Sequence, residues 1–409
     1  MSREPVTFSM SKPMTISAIT ASSCLGYGMA ALADGLHNAR TGLAPCDFLE
    51  TGLQTFTGSV TGVDEVVLPA DLSEHDCRNN RLAELTLAQD GFAETALEAI
   101  AHYGASRVGL FLGSSTSGLL QTEIAYRHRD ESGALPAALD YAHTHNMFSL
   151  GGYVAARFGL TGPQSVTSVA CASSAKVFAT AARAIDAGLV DAAVVGGVDS
   201  LCLTTLYGFG SLELLSTDIC RPYDQARNGI SIAEAGAFAL LEKPDSLRAA
   251  SGQHAQLAGF GESSDAYHMS TPHPEGAGAA RAMQEALNRA GLTCNQIDYI
   301  NLHGTATPSN DASEDAAVHT LFGDQTPVSS TKGAHGHTLG AAGALEAAIC
   351  VIALRDGLMP AGLNVEQLDP TLKCQFLTRP QPAPLRAVMS NSFGFGGANA
   401  SLILTGASH

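Results

Sequence analysis

Two stretches of this chain share one pattern, and it constrains the fold more than any other feature. A β-branched run enters a tight turn carrying one reactive side chain and continues as an alanine-rich helix. In the first, Ser165 to Val169 lead into Cys171-Ala172-Ser173-Ser174 and a helix through Ala179, Ala182 and Ile185. In the second, Val328 to Thr331 lead into Gly336-His337-Thr338-Leu339-Gly340 and a helix through Ala347, Ala348 and Ile349. Strand-turn-helix units of this kind build parallel sheets with helices packed on their faces. The expected class is therefore α/β, made by an internal duplication.

Further strands are expected at 107–112, 192–195, 298–302, 387–390 and 401–404, and helices at 82–103, 174–188, 278–290 and 341–356. A strand-like Ala237 to Leu241 runs into Glu242-Lys243-Pro244-Asp245, and the strand pattern restarts near Ala255. The division is placed near residue 250, giving an N-terminal half over 1–250 and a C-terminal half over 251–409.

With 45% hydrophobic and 15% charged residues, the 409-residue chain can bury a large core. Its 22 basic and 39 acidic residues give a net charge of -17, which disfavours nucleic acid and anionic lipid as partners. Nine cysteines without a Cys-x-x-Cys pair indicate a reducing compartment. Arg3 and Lys12 precede a mildly apolar stretch ending in Ala31-Leu32-Ala33, which imitates a secretion signal. Thr15, Ser17, Thr20, Ser22 and Ser23 interrupt it, so a strand is the better reading. No apolar run approaches the roughly 20 residues of a membrane span. The expectation is a cytoplasmic protein.

Cys171 lies among small neighbours at the start of a helix, where the peptide dipoles should lower the thiol pKa and favour thiolate. His303, in Asn301-Leu302-His303-Gly304-Thr305-Ala306-Thr307, and His337 each follow a strand, at the sheet edge where open α/β proteins hold their active sites. His335 and His337 together admit a metal hydrolase as a reading of a different class, although no cysteine or carboxylate cluster accompanies them. Lys332 sits at a strand end between Ser329-Ser330-Thr331 and Gly333. The run Asn391-Ser392-Phe393-Gly394-Phe395-Gly396-Gly397-Ala398-Asn399 lacks the Lys-Ser/Thr of a phosphate loop, and its glycines suit backbone amides turned toward a developing oxyanion.

Taken in order, the Cys171 turn, the His303 to Thr307 segment, Lys332 with Gly336-His337-Thr338-Leu339-Gly340-Ala341-Ala342-Gly343, and the 391–399 run resemble the β-ketoacyl-acyl-carrier-protein synthases of the elongating, Cys-His-His type. Arg221-Pro222-Tyr223-Asp224-Gln225-Ala226-Arg227-Asn228-Gly229, Ala31 to Gly35 and Thr41-Gly42 extend the resemblance over nearly the whole chain.

The resemblance implies a thiolase-like fold of five layers, αβαβα, with two similar halves, and usually a homodimer. It implies a decarboxylative condensation in which an acyl chain held on Cys171 is extended by two carbons from a malonyl group, in fatty acid or specialised polyene or polyketide synthesis. By the same resemblance His303 and His337 polarise the malonyl thioester and Lys332 holds His303. Glu346 offsets the lysine charge, and the amides of Cys171 and Phe395 form the oxyanion hole. Phe395 gates the acyl pocket, Thr305 and Thr307 bind pantetheine, Asn399 supports the site, and Thr116 falls on the pocket wall. No cofactor or metal is expected, because the acyl groups ride on the phosphopantetheine of an acyl carrier protein.

Thr116, Gly229-Ile230-Ser231 and Gly397-Ala398-Asn399 depart from the family pattern and leave the acyl class open. An acidic carrier would need a basic island here, for which Arg78, Arg81, Arg127 and Arg129 are the candidates. The thiolases are disfavoured by the lack of a C-terminal Cys-x-Gly, and the initiating synthases by histidine at 337. Cys171 argues against a chain-length-factor subunit, while leaving open that this chain is the active half of a heterodimer with one.

Overall fold

The computed structural model describes residues 12–243 and 255–406. The boundary expected near residue 250, with Pro244 and Asp245, lies outside the described residues.

Each half contributes five principal strands. The first has β1 (Met14–Ser23), β2 (Val108–Gly113), β3 (Gln164–Thr167), β4 (Ala192–Asp199) and β5 (Ala235–Glu242). The second has β6 (Ala255–Ser264), β7 (Tyr299–Asn301), β8 (Pro327–Ser329), β9 (Ala387–Gly394) and β10 (Ala398–Gly406). The first sheet is ordered β3-β2-β4-β5-β1 and the second β8-β7-β9-β10-β6. In both, the first two pairings are parallel and the last two antiparallel. The halves thus repeat one topology, and β1 and β6 join them edge to edge, with Met14 opposite Leu257.

Helices complete five layers. Helices α1 (Arg78–Leu87), α2 (Phe92–Tyr103) and α3 (Ser149–Phe158) cover the outer face of the first sheet. Helices α5 (Ala277–Ala290) and α6 (Pro308–Phe322) form the outer layer of the second, where α5 packs on β6 and β10 and α6 packs on α5. Between the sheets lie α4 (Ser173–Asp186) and α7 (Ala342–Asp356), packed on each other. Every residue of α7 from Ala342 to Ala353 is buried, which accounts for its lack of a polar face. A Cβ on Gly343 would lie 2.5 Å from the backbone nitrogen of Ala175, so glycine sets how closely the middle helices approach.

The single helix expected over 82–103 is two. Asp90 and Gly91 take positive φ and break it, and the Asp90 carboxylate accepts from Thr20 Oγ1 and the Met29 amide. The strand expected from the polar residues between Thr15 and Ser23 is β1, and all ten of its residues are buried, because helical layers cover both faces. Among the described residues, no helix is long and apolar enough to cross a membrane.

Candidate active site

The reactive residues arrive on loops that leave the carboxyl ends of parallel strands. Past β3, Ala170 adopts φ 52° and turns the chain sharply, and Ser173 Oγ locks the bend by accepting from the Val169 amide and donating to the Ala170 carbonyl. Cys171 stands at its tip, ahead of α4. Past β7, His303 is followed by Ala306 at φ 67°, and past β8, His337 is followed by Leu339 at φ 53°. Non-glycine residues in this region carry strain of order 1–3 kcal/mol each, and here all three flank a reactive side chain.

Cys171 Sγ and one ring nitrogen each of His303 and His337 all lie within 4.8 Å of one another. The imidazoles meet edge to face, with centroids 5.3 Å apart. The Leu339 amide donates to Nδ1 of His337 at 3.0 Å, which leaves the proton on Nε2. Lys332 Nζ lies 3.4 Å from Nδ1 of His303 and donates to the His303 carbonyl at 2.5 Å, imposing the same tautomer. Lys332 also pairs with Glu346, and both are fully buried. Burial, with the nearby Lys332 charge, holds both imidazoles well below the usual histidine range. The site therefore offers two neutral N–H donors aimed at one space.

The expectation of a lowered thiol pKa is corrected. Burial pushes the Cys171 thiol up to about 12, although Lys332 and the amides of Phe395 and Cys171 pull it down. Desolvation of the charged form outweighs the helix start. Those two amides nonetheless converge on the sulfur, as an oxyanion hole requires. A Cβ on Gly394 would sit 2.9 Å from the Val169 carbonyl and 3.2 Å from the Cys171 amide, so the 394–397 turn fits against the cysteine turn only because residue 394 has no side chain.

One cavity is lined by Cys171, His303, His337, Thr305, Thr307, Phe395 and Asn399. The hydroxyls of Thr305 and Thr307 are 2.9 Å apart, and Phe395 packs on Phe209 with centroids 5.6 Å apart. Ile230, one of the departures from the family pattern, lines the same cavity. Thr116 is absent from this lining. Its hydroxyl donates to Asp199 at 2.8 Å, and that carboxylate also accepts from the amides of Ser115, Thr116 and Gly340. Asn399 Nδ2 reaches Asp265 at 2.7 Å.

Two expectations fail on contacts. Arg78 is buried against Glu234 and Asp64, and Arg81 is paired with Asp76, so neither offers free charge to a carrier protein. His335 turns its Nε2 to Thr331 Oγ1 at 2.9 Å and belongs to none of the metal-capable groups among the described residues, so it does not pair with His337 in a metal site.

Sequence reasoning missed Glu314. It is buried on α6, and its two oxygens accept from the amides of His303 at 2.8 Å and Gly304 at 2.7 Å. Asp311 and Asp315 on the same helix likewise take amides of neighbouring loops. Acidic residues spaced i, i+3 and i+4 directly after the His303 motif were the available signal.

The family profile described as Beta-ketoacyl synthase, N-terminal domain, matches residues 50–246, and Beta-ketoacyl synthase, C-terminal domain, matches 254–366. A 3-oxoacyl-[acyl-carrier-protein] synthase 2 of Coxiella burnetii is 34% identical over 330 residues, covering 78% of this chain and 80% of that protein. The chain belongs to the β-ketoacyl synthase family. The mitochondrial 3-oxoacyl-[acyl-carrier-protein] synthase of Arabidopsis thaliana is 41% identical over 268 residues, 62% of this chain and 58% of that protein, so the match spans under two thirds of its length. Among solved structures, a ketosynthase in complex with its chain length factor from Xenorhabdus doucetiae superposes with TM-score 0.88 at 38% identity, covering 100% of both chains. A β-ketoacyl synthase from Burkholderia phymatum gives 0.86 at 30% identity, over 97% of this chain and 100% of that one. The five-layer, two-half architecture is that of these synthases.

Proposed function

We propose that this chain is a β-ketoacyl-acyl-carrier-protein synthase that extends an acyl chain held on Cys171 by two carbons from a malonyl thioester. The observation that carries the reading is the meeting of one buried sulfur with two neutral imidazole N–H donors inside a single cavity. In loading, Cys171 Sγ attacks the acyl thioester, the amides of Cys171 and Phe395 take the oxyanion, and the thiol proton leaves with the departing pantetheine sulfur. The malonyl group then loses carbon dioxide, and the N–H groups of His303 and His337 stabilise the enolate. Its carbon attacks the acyl-cysteine, and the released sulfur regains a proton from water.

The remaining roles extend this reading. Thr305 and Thr307 hold the pantetheine arm, Phe395 gates the cavity, and Lys332 with Glu346 fixes His303. Asn399 supports the gate turn through Asp265, and Thr116 shapes the acyl space from behind through Asp199. The chemistry needs no cofactor beyond phosphopantetheine on an acyl carrier protein. Arg127 and Arg129, both exposed, are its proposed docking contacts, and the enzyme works as a dimer in the cytoplasm.

A heterodimer with a chain-length-factor-like subunit is a second reading. It is supported by the full-length likeness to the Xenorhabdus ketosynthase, which was solved with such a partner.

Incubation with an acyl-carrier-protein thioester, followed by intact-protein mass measurement, tests the proposal. An acyl adduct is expected on the native chain and none on Cys171→Ala. An adduct that persists in the variant would sink it.

A further inference from the structure

Away from the Cys171 cavity, on the outer side of the first half, a second group of ligating side chains converges. Glu74 and His75 lie at the end of a 3-10 turn over Ala70–His75, and His143 lies in a wide turn over Tyr141–His145. Their ligating atoms all fall within 4.8 Å of one another. Glu74 Oε1 is 3.7 Å from His143 Nε2 and 3.9 Å from His75 Nε2. None of the three lines the Cys171 cavity.

We propose that Glu74, His75 and His143 bind one divalent transition ion of the zinc class. Bonds of about 2.0–2.2 Å in a tetrahedron hold neighbouring ligand atoms about 3.3–3.6 Å apart, so the Glu74 contacts at 3.7 Å and 3.9 Å need a shift of only a few tenths of an ångström. The exposed Glu74 side chain is free to supply it. Two imidazoles with one carboxylate select zinc, cobalt, nickel or copper over magnesium or calcium, and three protein ligands leave a fourth position for water.

The surroundings prepare the ligands. Asp140 Oδ2 sits 2.7 Å from Nδ1 of His143 and fixes that ring with Nε2 toward the group, and Asp140 Oδ1 accepts from the His143 amide. A carboxylate behind a histidine in this way orients the ring and raises its basicity as a ligand. His75 is 6% exposed, its Nδ1 has no hydrogen-bond partner, and its ring meets His143 edge to face at 5.0 Å. Glu74 and Asp140 both line one surface cleft, giving it an acidic mouth.

The ion would act as a clamp between two turns. The Thr144 carbonyl accepts from the Gly118 amide at 2.9 Å and from Ser117 Oγ at 3.2 Å, so the turn that carries His143 is tied to the segment holding Thr116.

Tag-free, chelator-stripped full-length protein titrated with Zn2+ by calorimetry, and with Co2+ by visible absorption, decides the matter. One equivalent of Zn2+ and a tetrahedral Co2+ spectrum are expected in the native chain. Both should survive in the Cys171→Ala, His337→Ala double variant, which dismantles the other metal-capable group. Both should vanish in His143→Ala and in Glu74→Gln, and Asp140→Asn should weaken binding about 10–100-fold. Absence of stoichiometric binding overturns the proposal, as does binding retained in both His143→Ala and Glu74→Gln or lost in the double variant.

Discussion

Nζ of Lys332 lies 3.4 Å from Nδ1 of His303 while the same ammonium pairs with Glu346, and all of this takes place out of contact with water. Lys332 thereby sets a tautomer and is itself paired from behind, while burial, helped by its charge, keeps the two imidazoles neutral. Lys332→Met should cut condensation by about 10²–10³-fold, the scale of losing one positioned donor. It should also destabilise the fold by about 3–5 kcal/mol, because Glu346 is left buried and unpaired. Adding Glu346→Gln should restore the melting temperature and leave the rate low. Rate recovery in the double variant would show that the lysine acts on stability alone.

The Cys171 thiol, pushed up to about 12, should react as a minor thiolate. Its alkylation by iodoacetamide, followed on the Cys171 peptide by mass spectrometry, should rise about tenfold per pH unit from about pH 6 to about pH 9 without levelling. A plateau near pH 7 would mean that the helix start prevails over burial.

Burial raises Glu314 from 4.5 to about 7, against the lowering pull of the His303 and Gly304 amides. The folded state therefore holds this proton more tightly than the unfolded chain does. Its contribution to stability is complete below pH 4.5 and is lost as pH rises through about 7. Glu314→Gln should abolish that loss, so its stability deficit relative to the native chain should shrink between pH 5 and pH 8 in denaturant titrations, numbers of order set by the shift. A deficit that grows with pH would refute the assignment.

Gly394→Ala places a methyl group against the Val169 carbonyl and the Cys171 amide without backbone strain, since φ at 394 is -96°. Displacing the Phe395 amide from the sulfur should slow acyl loading about 10–100-fold. Because the clash is with backbone, the substitution should also lower stability by about 1–3 kcal/mol. Time-resolved intact mass reads the loading rate, and an unchanged rate would remove Phe395 from the oxyanion hole.

Arg127→Glu combined with Arg129→Glu should raise the KM for carrier-linked substrate and leave turnover on a free pantetheine thioester unaltered. Equal kinetics with both substrates would send the docking surface elsewhere.

The sequence displayed its strand-turn-helix units because each is local to a turn, which made Cys171, His303 and His337 candidates, but either histidine taken singly reads as a structural one, and only the ordered set of motifs joined them to the cysteine. The repeat was legible for the same reason, and the observed strand order shows it in full. What stayed hidden depends on distant packing. Whether Cys171 is a thiol or a thiolate follows from how completely both halves bury it. Arg78 looks like a surface cation until β5 and the segment before it bring Glu234 alongside. Glu314 reads as an ordinary helical acid until the His303 loop folds over it. The break at Asp90-Gly91 was visible as a turn dipeptide, but the helical periodicity on either side masked it.

Ser174, three residues past Cys171, accepts from the Ala344 amide at 2.9 Å, seven residues past His337. The two reactive turns are thereby bolted to a common spine made of one helix from each half. Cys171 comes from one half and His303 and His337 from the other, so neither half can shift without moving the sulfur relative to the imidazoles. The machine exists only as the seam.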